Sequence, residues 1–403
     1  MQEQGVNQNS GAVGQRKGRV LYVGQCYYNT WYLSRALRKL GWKADTLNFD
    51  PEERTQIFYH GEDFKFEYRG AADLLRQFAF YVKALYSYDL FHFTGAHNLT
   101  FSAYFRQLKF LPQSWDVKLL KKLGKVIVYS NNGCLDGVSQ SSFRTWLPEP
   151  VCDICPWRDR PDVCSDTRNL AWGKLRNSLA DYQVNIGGNN KDYNDDPRVH
   201  EVPEFYCLDP DFWTPDLVVP PEYQLTTSLR TVKIYHAVGN FDTRSDPSSQ
   251  RTIKSTHIYL PLIERLKSEG HDVELLFFKD VPNKKVRYYQ VQSDIVVDML
   301  TFGFFGANVR EAMMLGKPVV CFLRPEWLER MRTEIPQYVD ELPIVSATPA
   351  TVYDVLRDLI EHPEKRQEIG RRSREFAVKW HSNKAGAERL DRIYSDLLAS
   401  GGA

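Results

Sequence analysis

From Gly18 onward, short apolar runs of strand length alternate with amphipathic stretches of helix length. Arg19–Val23 predicts a first strand. The loop Gly24-Gln25-Cys26 and a helix near Tyr28–Leu40 follow, with Gly41 where a helix-ending glycine belongs. The same alternation predicts strands at Ala44–Leu47, Asp89–Phe93 and Val126–Tyr129, with helices at Ala71–Leu85 and Trp115–Leu123. It lapses between about Asn131 and Tyr223, a stretch rich in Pro, Asp, Asn and Cys. Only loops, a helix near Leu170–Ala180 and a linker near Pro215–Pro221 are expected there. It then resumes, with strands at Val232–Ala237, Val273–Phe278, Ile295–Leu300 and Val319–Leu323. Helices are expected at Ile253–Glu269, Val286–Val291, Val309–Leu315, Ala350–Glu361, Arg366–Lys379 and Ala385–Leu398. Such alternation marks parallel sheets covered by helices, and its interruption marks two doubly wound α/β domains. Ligands of such pairs sit between the carboxyl edges of the two sheets.

Composition narrows the class. Apolar residues are 42% of the 403 and charged residues 26%, as in ordinary globular chains. Lys plus Arg number 52 and Asp plus Glu 51, so no global field draws nucleic acid or an anionic membrane. No run approaches the roughly 20 apolar residues of a membrane-spanning helix. Residues 1–17 form a polar tail without the apolar core of a secretory signal, and are expected to be disordered. A cytoplasmic, reducing location follows as an expectation, with the seven cysteines as thiols or metal ligands. The 22 Tyr, 22 Phe and 9 Trp suit sugar faces, but core filling accounts for most of them.

Candidate chemistry concentrates between Ser293 and Phe322. A buried strand ends at Asp298. A loop with Gly303 and Gly306 around Phe304 and Phe305 follows, and a helix starts near Ala307 and carries Glu311. Glycines that admit a close backbone approach, followed by a helix N-terminus, make an anion site. Glu311 stands where a carboxylate reaches a ribose diol. A plain strand–loop–helix connection would show the same pattern. Arg251 and Lys254, three apart, are expected at the start of the helix after the Val232–Ala237 strand, both facing one side. Cations so placed suit a diphosphate, and a solvated helix start is the bland alternative.

Glu311-Ala312-Met313-Met314-Leu315-Gly316-Lys317-Pro318-Val319 resembles the donor motif of the family-four nucleotide-sugar glycosyltransferases, which have the GT-B fold. These enzymes carry a Glu, a Gly-Phe-Gly loop and a second Glu eight positions after the first. Here the first Glu is replaced by Gly303. A subgroup with an aromatic pair between two glycines resembles Gly303-Phe304-Phe305-Gly306. The resemblance implies two Rossmann-like domains facing across a cleft. These are an acceptor domain over 18–214 with a loop-rich, cysteine-containing insert and a donor domain over 222–384, with a helix over 385–403 crossing back onto the first. It also implies a site. Glu311 holds the ribose, and the amides of Gly306, Ala307 and Asn308 meet the distal phosphate and sugar. Arg251 and Lys254 bind the diphosphate, Val281 contacts the base through its backbone, and Gly303, Phe304 and Phe305 form the sugar loop.

In the first half the resemblance lies in spacing. Gly24 and Gln25 fall in the first strand–helix loop. The family's Asp-x-x-His-x-His pattern has Thr94 in the place of its second His, with His97 as the substitute catalytic group. His92 reads as a core histidine. Asn132 and Asp136 resemble a His-Gly-x-Asp loop at the cleft. The implied activity is transfer of a sugar from a UDP- or GDP-sugar to a hydroxyl of a glycan or other acceptor. No metal is required for the leaving group, and the retaining outcome is usual for the family. Replacement of the first Glu keeps a catalytically degenerate scaffold open, and a sugar-nucleotide epimerase is a more distant reading. Separately, Cys152-x-x-Cys155 with Cys164 forms a candidate structural zinc site, the fourth ligand being Cys134, Cys207 or a histidine. Incidental thiols are the alternative.

Overall fold

A computed structural model describes residues 17–401, apart from 26, 50–60, 68, 95–99, 102–107, 109, 132, 135, 147–149, 186–187, 229, 240 and 247–250. The first half builds β1 (Arg19–Val23), α1 (Asn29–Lys39), β2 (Lys43–Asn48), β3 (Phe64–Lys65), α2 (Ala71–Ser87), β4 (Leu90–Thr94), α3 (Trp115–Lys122) and β5 (Val126–Asn131). Short α4 (Gln140–Phe143) and α5 (Asp166–Leu179) follow, then β6 (Tyr182–Asn185) and β7 (Val199–Glu201). These strands form one parallel sheet of seven in the order β3-β2-β1-β4-β5-β6-β7.

β6 and β7 correct the sequence expectation, which placed no strand beyond β5 in this half. Tyr182-Gln183-Val184-Asn185 carries polar residues at alternate positions, so no apolar run marks it. Yet Gln183 and Asn185 are buried, and their amides find partners in Asn177 and Glu201.

The second half runs β8 (Val232–Val238), α6 (Phe241–Arg244), the antiparallel pair β9 (Ser245–Asp246) and β10 (Arg251–Thr252), α7 (Thr256–Ser268), β11 (Val273–Lys279), α8 (Asn283–Gln290), β12 (Ile295–Val297), α9 (Ala307–Met314) and β13 (Val319–Cys321). It continues through α10 (Pro325–Glu334), α11 (Pro336–Glu341), β14 (Val345–Ser346), α12 (Val352–Glu361), α13 (Pro363–His381) and α14 (Asn383–Ala399). β11-β8-β12-β13-β14 form a parallel sheet of five. α10, α11 and β14 were not anticipated. α7 begins at Thr256, three residues later than expected, because Ser255 takes a left-handed turn with φ 59°.

The last two helices join the halves. At Ser382 the chain bridges to Leu208: Leu208 N–H donates to His381 O at 2.8 Å, and Asn383 N–H to Leu208 O at 2.7 Å. α14 then runs back onto α1. Its Tyr394 hydroxyl lies 2.9 Å from that of Tyr22 on β1 and 2.6 Å from Nδ1 of His92 on β4. His92 is a core histidine, as expected, and burial pulls its pKa down to about 3. Among the described residues, no helix is long and apolar enough to cross a membrane.

Candidate active site

The second sheet changes winding direction at β8, which has β11 on one side and β12 on the other. Loops leave such a point in opposite directions and open a crevice beyond the carboxyl ends of the strands. A cavity of about 140 Å3 lies there. The ends of β8 and β11, the start of α8 and the first turn of α9 line it, and the first half closes it with Tyr27 and Tyr206.

Lys254, Val281, Gly306, Ala307, Asn308 and Glu311, predicted from separate stretches of sequence, all meet at this cavity. Gly306 caps α9 without a side-chain acceptor, so the first-turn N–H groups have no capping oxygen. Lys254 is not on a helix face as expected. It stands in the turn between β10 and α7, where its Nζ lies 3.1 Å from Asp298 Oδ1 at the end of β12. Side-chain exposures of 12% and 1% make this a largely desolvated pair. Arg251 lies in β10, three residues before Lys254 but in a different element; its side chain lies outside the described residues.

Glu311 is 3% exposed. Its Oε1 accepts from Tyr28 Oη at 2.8 Å and from Asn283 Nδ2 at 2.7 Å. Burial pushes its pKa up to about 7, against the pull of hydrogen bonds from Tyr28, Asn283 and Gln290. Tyr28 comes from α1's cap, so this bond ties the two halves together across the crevice.

Sequence reasoning missed several residues of the cavity. Arg244 Nη2 donates to Tyr27 Oη at 3.2 Å, a second tie between the halves. Both line the cavity. Arg244 ends α6, a short helix that no sequence period marked, and α6 is what aims it. Tyr235, Asn283 and Asn308 also line it. Tyr235 Oη, Asn283 Oδ1 and Asn308 Nδ2 are buried there without a hydrogen-bond partner. Buried polar atoms ordinarily find partners, and three orphans on one cavity point to a polar occupant. Backbone strain gathers here too. Tyr27 (φ 55°), Ser255 (φ 59°) and Asp280 (φ 53°) are left-handed non-glycine residues at or beside the cavity.

Other predicted residues fall elsewhere. Gly303 has φ +80°, and a Cβ there would stand 2.6 Å from Arg324 Cβ. Phe304 and Phe305 do not present their rings to the cavity; they stack on each other at 5.2 Å and pack against Trp327 and Arg310 in the core. Gly24 (φ +83°) admits Thr94 O at 2.4 Å from where a Cβ would be, so it shapes the end of β1 rather than the cavity wall. Gln25 is buried but does not line the cavity. Asp136 corrects the cleft assignment: fully buried in the first half, it accepts from Trp172 Nε1 at 2.6 Å and Arg176 Nη1 at 3.1 Å. His97 and Asn132 lie outside the described residues. Cys152, Cys155 and Cys164 come together with Cys134, not with Cys207, which sits buried in the core beside Phe205 and Leu208.

Two parallel doubly wound sheets, with a crevice between them and a terminal helix returning to the first, define the GT-B architecture. Solved structures share it. Sucrose-phosphate synthase from Thermosynechococcus elongatus aligns over 95% of this chain and 100% of its own, at a TM-score of 0.57 and 14% identity. Anabaena HepE in complex with UDP-glucose aligns over 94% and 100%, at 0.55 and 13%. At such identities the likeness establishes the fold. No family model and no curated protein matches the chain.

Proposed function

We propose that this protein is a glycosyltransferase whose donor, a UDP- or GDP-sugar, binds in the cavity at the carboxyl end of β8. One observation carries the proposal. Lys254, Arg244, the uncapped start of α9 and three orphaned polar atoms converge on a single cavity at the topological switch point. HepE, a neighbour in fold, has been crystallised with UDP and with UDP-glucose, which supports the same donor class here.

In this assignment the diphosphate sits on the α9 amides, with Lys254 and Arg251 neutralising the charge that grows on the leaving group. The protein's own cations serve this without a metal. Glu311 takes the ribose hydroxyls, and the backbone at Val281 takes the base. His97 remains the proposed catalytic group of the first half, with a hydroxyl acceptor beside it. The cavity is smaller than the roughly 300 Å3 at the low end of small-molecule sites. Donor entry therefore requires the halves to part at the Tyr28–Glu311 and Tyr27–Arg244 hydrogen bonds.

Titration calorimetry with UDP, GDP and their glucose and mannose conjugates tests the site. Glu311→Ala and Lys254→Ala, checked for folding by circular dichroism, should each weaken binding at least tenfold. Unchanged affinity in both would sink the assignment. Donor hydrolysis or transfer by the wild type separates an enzyme from a scaffold that only binds, the reading that Gly303 keeps alive.

A further inference from the structure

The described residues between 133 and 165 form a loop-rich stretch after β5, and little holds them by burial. Their core is the small cluster of Val138, Phe143, Trp146, Val151 and Cys152, with Cys134 and Phe302 packed on it. Segments with so little apolar core ordinarily need a staple. Four cysteines of this stretch, Cys134, Cys152, Cys155 and Cys164, line one cavity of about 70 Å3 beneath that cluster. They arrive from three separate turns, Cys152 and Cys155 sharing one. Cys155 N–H donates to Cys152 O at 3.2 Å, and Cys164 N–H to Arg160 O at 2.7 Å, so tight turns present the sulfurs inward. Gln140 Nε2 donates to Cys164 Sγ at 3.2 Å, an outer-sphere contact of the sort that orients a thiolate ligand.

The four cysteines share this one cavity. Among the described residues, no group of three or more His, Cys, Asp or Glu side chains stands gathered as ligands about one ion.

We propose that Cys134, Cys152, Cys155 and Cys164 together bind a thiolate-ligated metal centre that staples this segment. The chemistry is that of soft metals with four sulfur ligands. An iron–sulfur cluster fills the space between such thiolates with its own atoms. A single zinc ion would draw them in to about 2.3 Å from one point. Cys207 and Cys321, buried in the core cluster that spans the two halves, take no part. Phe302, next to Gly303 in the β12–α9 loop, and Ile253, next to Lys254, line the same cavity. The centre thus braces the β12–α9 loop and the β10–α7 turn from below.

The test is elemental analysis of the full-length protein purified with and without exclusion of air. About one zinc per chain, or iron with matching acid-labile sulfide and visible thiolate-to-iron absorption, is expected, and the two results identify the metal. Cys134→Ser and Cys155→Ser should each lower metal content at least fivefold, with Cys207→Ser retaining it. Metal-free wild type, a Cys152–Cys155 disulfide in mass spectrometry, or metal retained in both ligand variants would overturn the proposal. If the ligand variants do not fold, metal content of the wild type and its loss of thermal stability on chelation decide the matter alone. None of these readouts depends on nucleotide binding, so the donor-site assignment stands or falls separately.

Discussion

Glu311 concentrates the chemistry of the cavity in one side chain. Its folded pKa of about 7 lies above its ordinary value of 4.5, so the folded state holds a proton that the unfolded chain has released. This group's contribution to stability therefore falls as pH rises from about 4.5 to about 7 and is level above. Glu311→Gln keeps the acceptor oxygen and removes the titration. Denaturation at a series of pH values should show the variant gaining on the wild type across that window, by at most about 3 kcal/mol. The difference curve is what isolates Glu311, because neutral His92 pushes the other way between about 3 and its ordinary 6.5. Nucleotide affinity of the wild type should rise over the same interval, since the carboxylate is the better acceptor for a ribose diol. Gly303 presents the opposite case, a residue whose absence of side chain is the point. Gly303→Glu restores the acidic residue of the resembling family, yet it forces a left-handed non-glycine and a collision with Arg324. It should cost at least about 1–3 kcal/mol in urea denaturation and add no transferase activity.

Elements decide how these residues are aimed. Arg251 and Lys254 read as one helix face from their spacing, but they occupy a strand and a turn. Ser255 ends the turn left-handed, and its Oγ accepts from Leu300 N–H at 2.9 Å, which docks the start of α7 on the end of β12. That docking is what brings Lys254 to Asp298. Lys254→Ala leaves a buried carboxylate without its cation and should destabilise by about 3 kcal/mol. Adding Asp298→Asn should recover much of that loss in thermal melts while nucleotide binding stays weak. Recovery of binding in the double variant would show that Lys254 serves the fold and not the ligand. Helix and strand types were legible wherever an apolar run or an amphipathic period was strong, as in β1, α2, α9 and α14. They were not legible in β6, whose buried amides look like loop residues until the pairing Asn185–Glu201 supplies their partners.

At the scale of the molecule, two hydrogen bonds latch the crevice at the cavity: Tyr28 to Glu311 and Arg244 to Tyr27. Far from it, α14 holds the halves together through Tyr394, His92 and Tyr22. The halves are also tied at the β7 edge, where Glu201 N–H donates to Glu334 Oε2 and Arg330 Nη2 to Val199 O, each at 3.0 Å, so opening at the cavity swings about these bonds as well as about α14. Tyr28→Phe removes one latch and frees a lone pair of the carboxylate. It should lower stability by about 1 kcal/mol and tighten nucleotide binding severalfold by calorimetry. Weaker binding would mean that Tyr28 itself contacts the ligand.

The sequence by itself determined the class of fold, through alternating strand and helix periods interrupted once. It also determined the β12–α9 segment with its glycines, Glu311 and helix start, because these are local features in which residue type and spacing carry the physics. It could group three cysteines in one loop-rich stretch but could not choose the fourth among Cys134, Cys207 and a histidine. Tertiary structure placed Cys134 with them, turned Phe304, Phe305 and Asp136 into the interior, and brought Tyr27, Tyr28 and Arg244 to the cavity. Those outcomes depend on contacts between residues up to 283 positions apart, and no periodicity along one chain encodes which distant side chain closes a space.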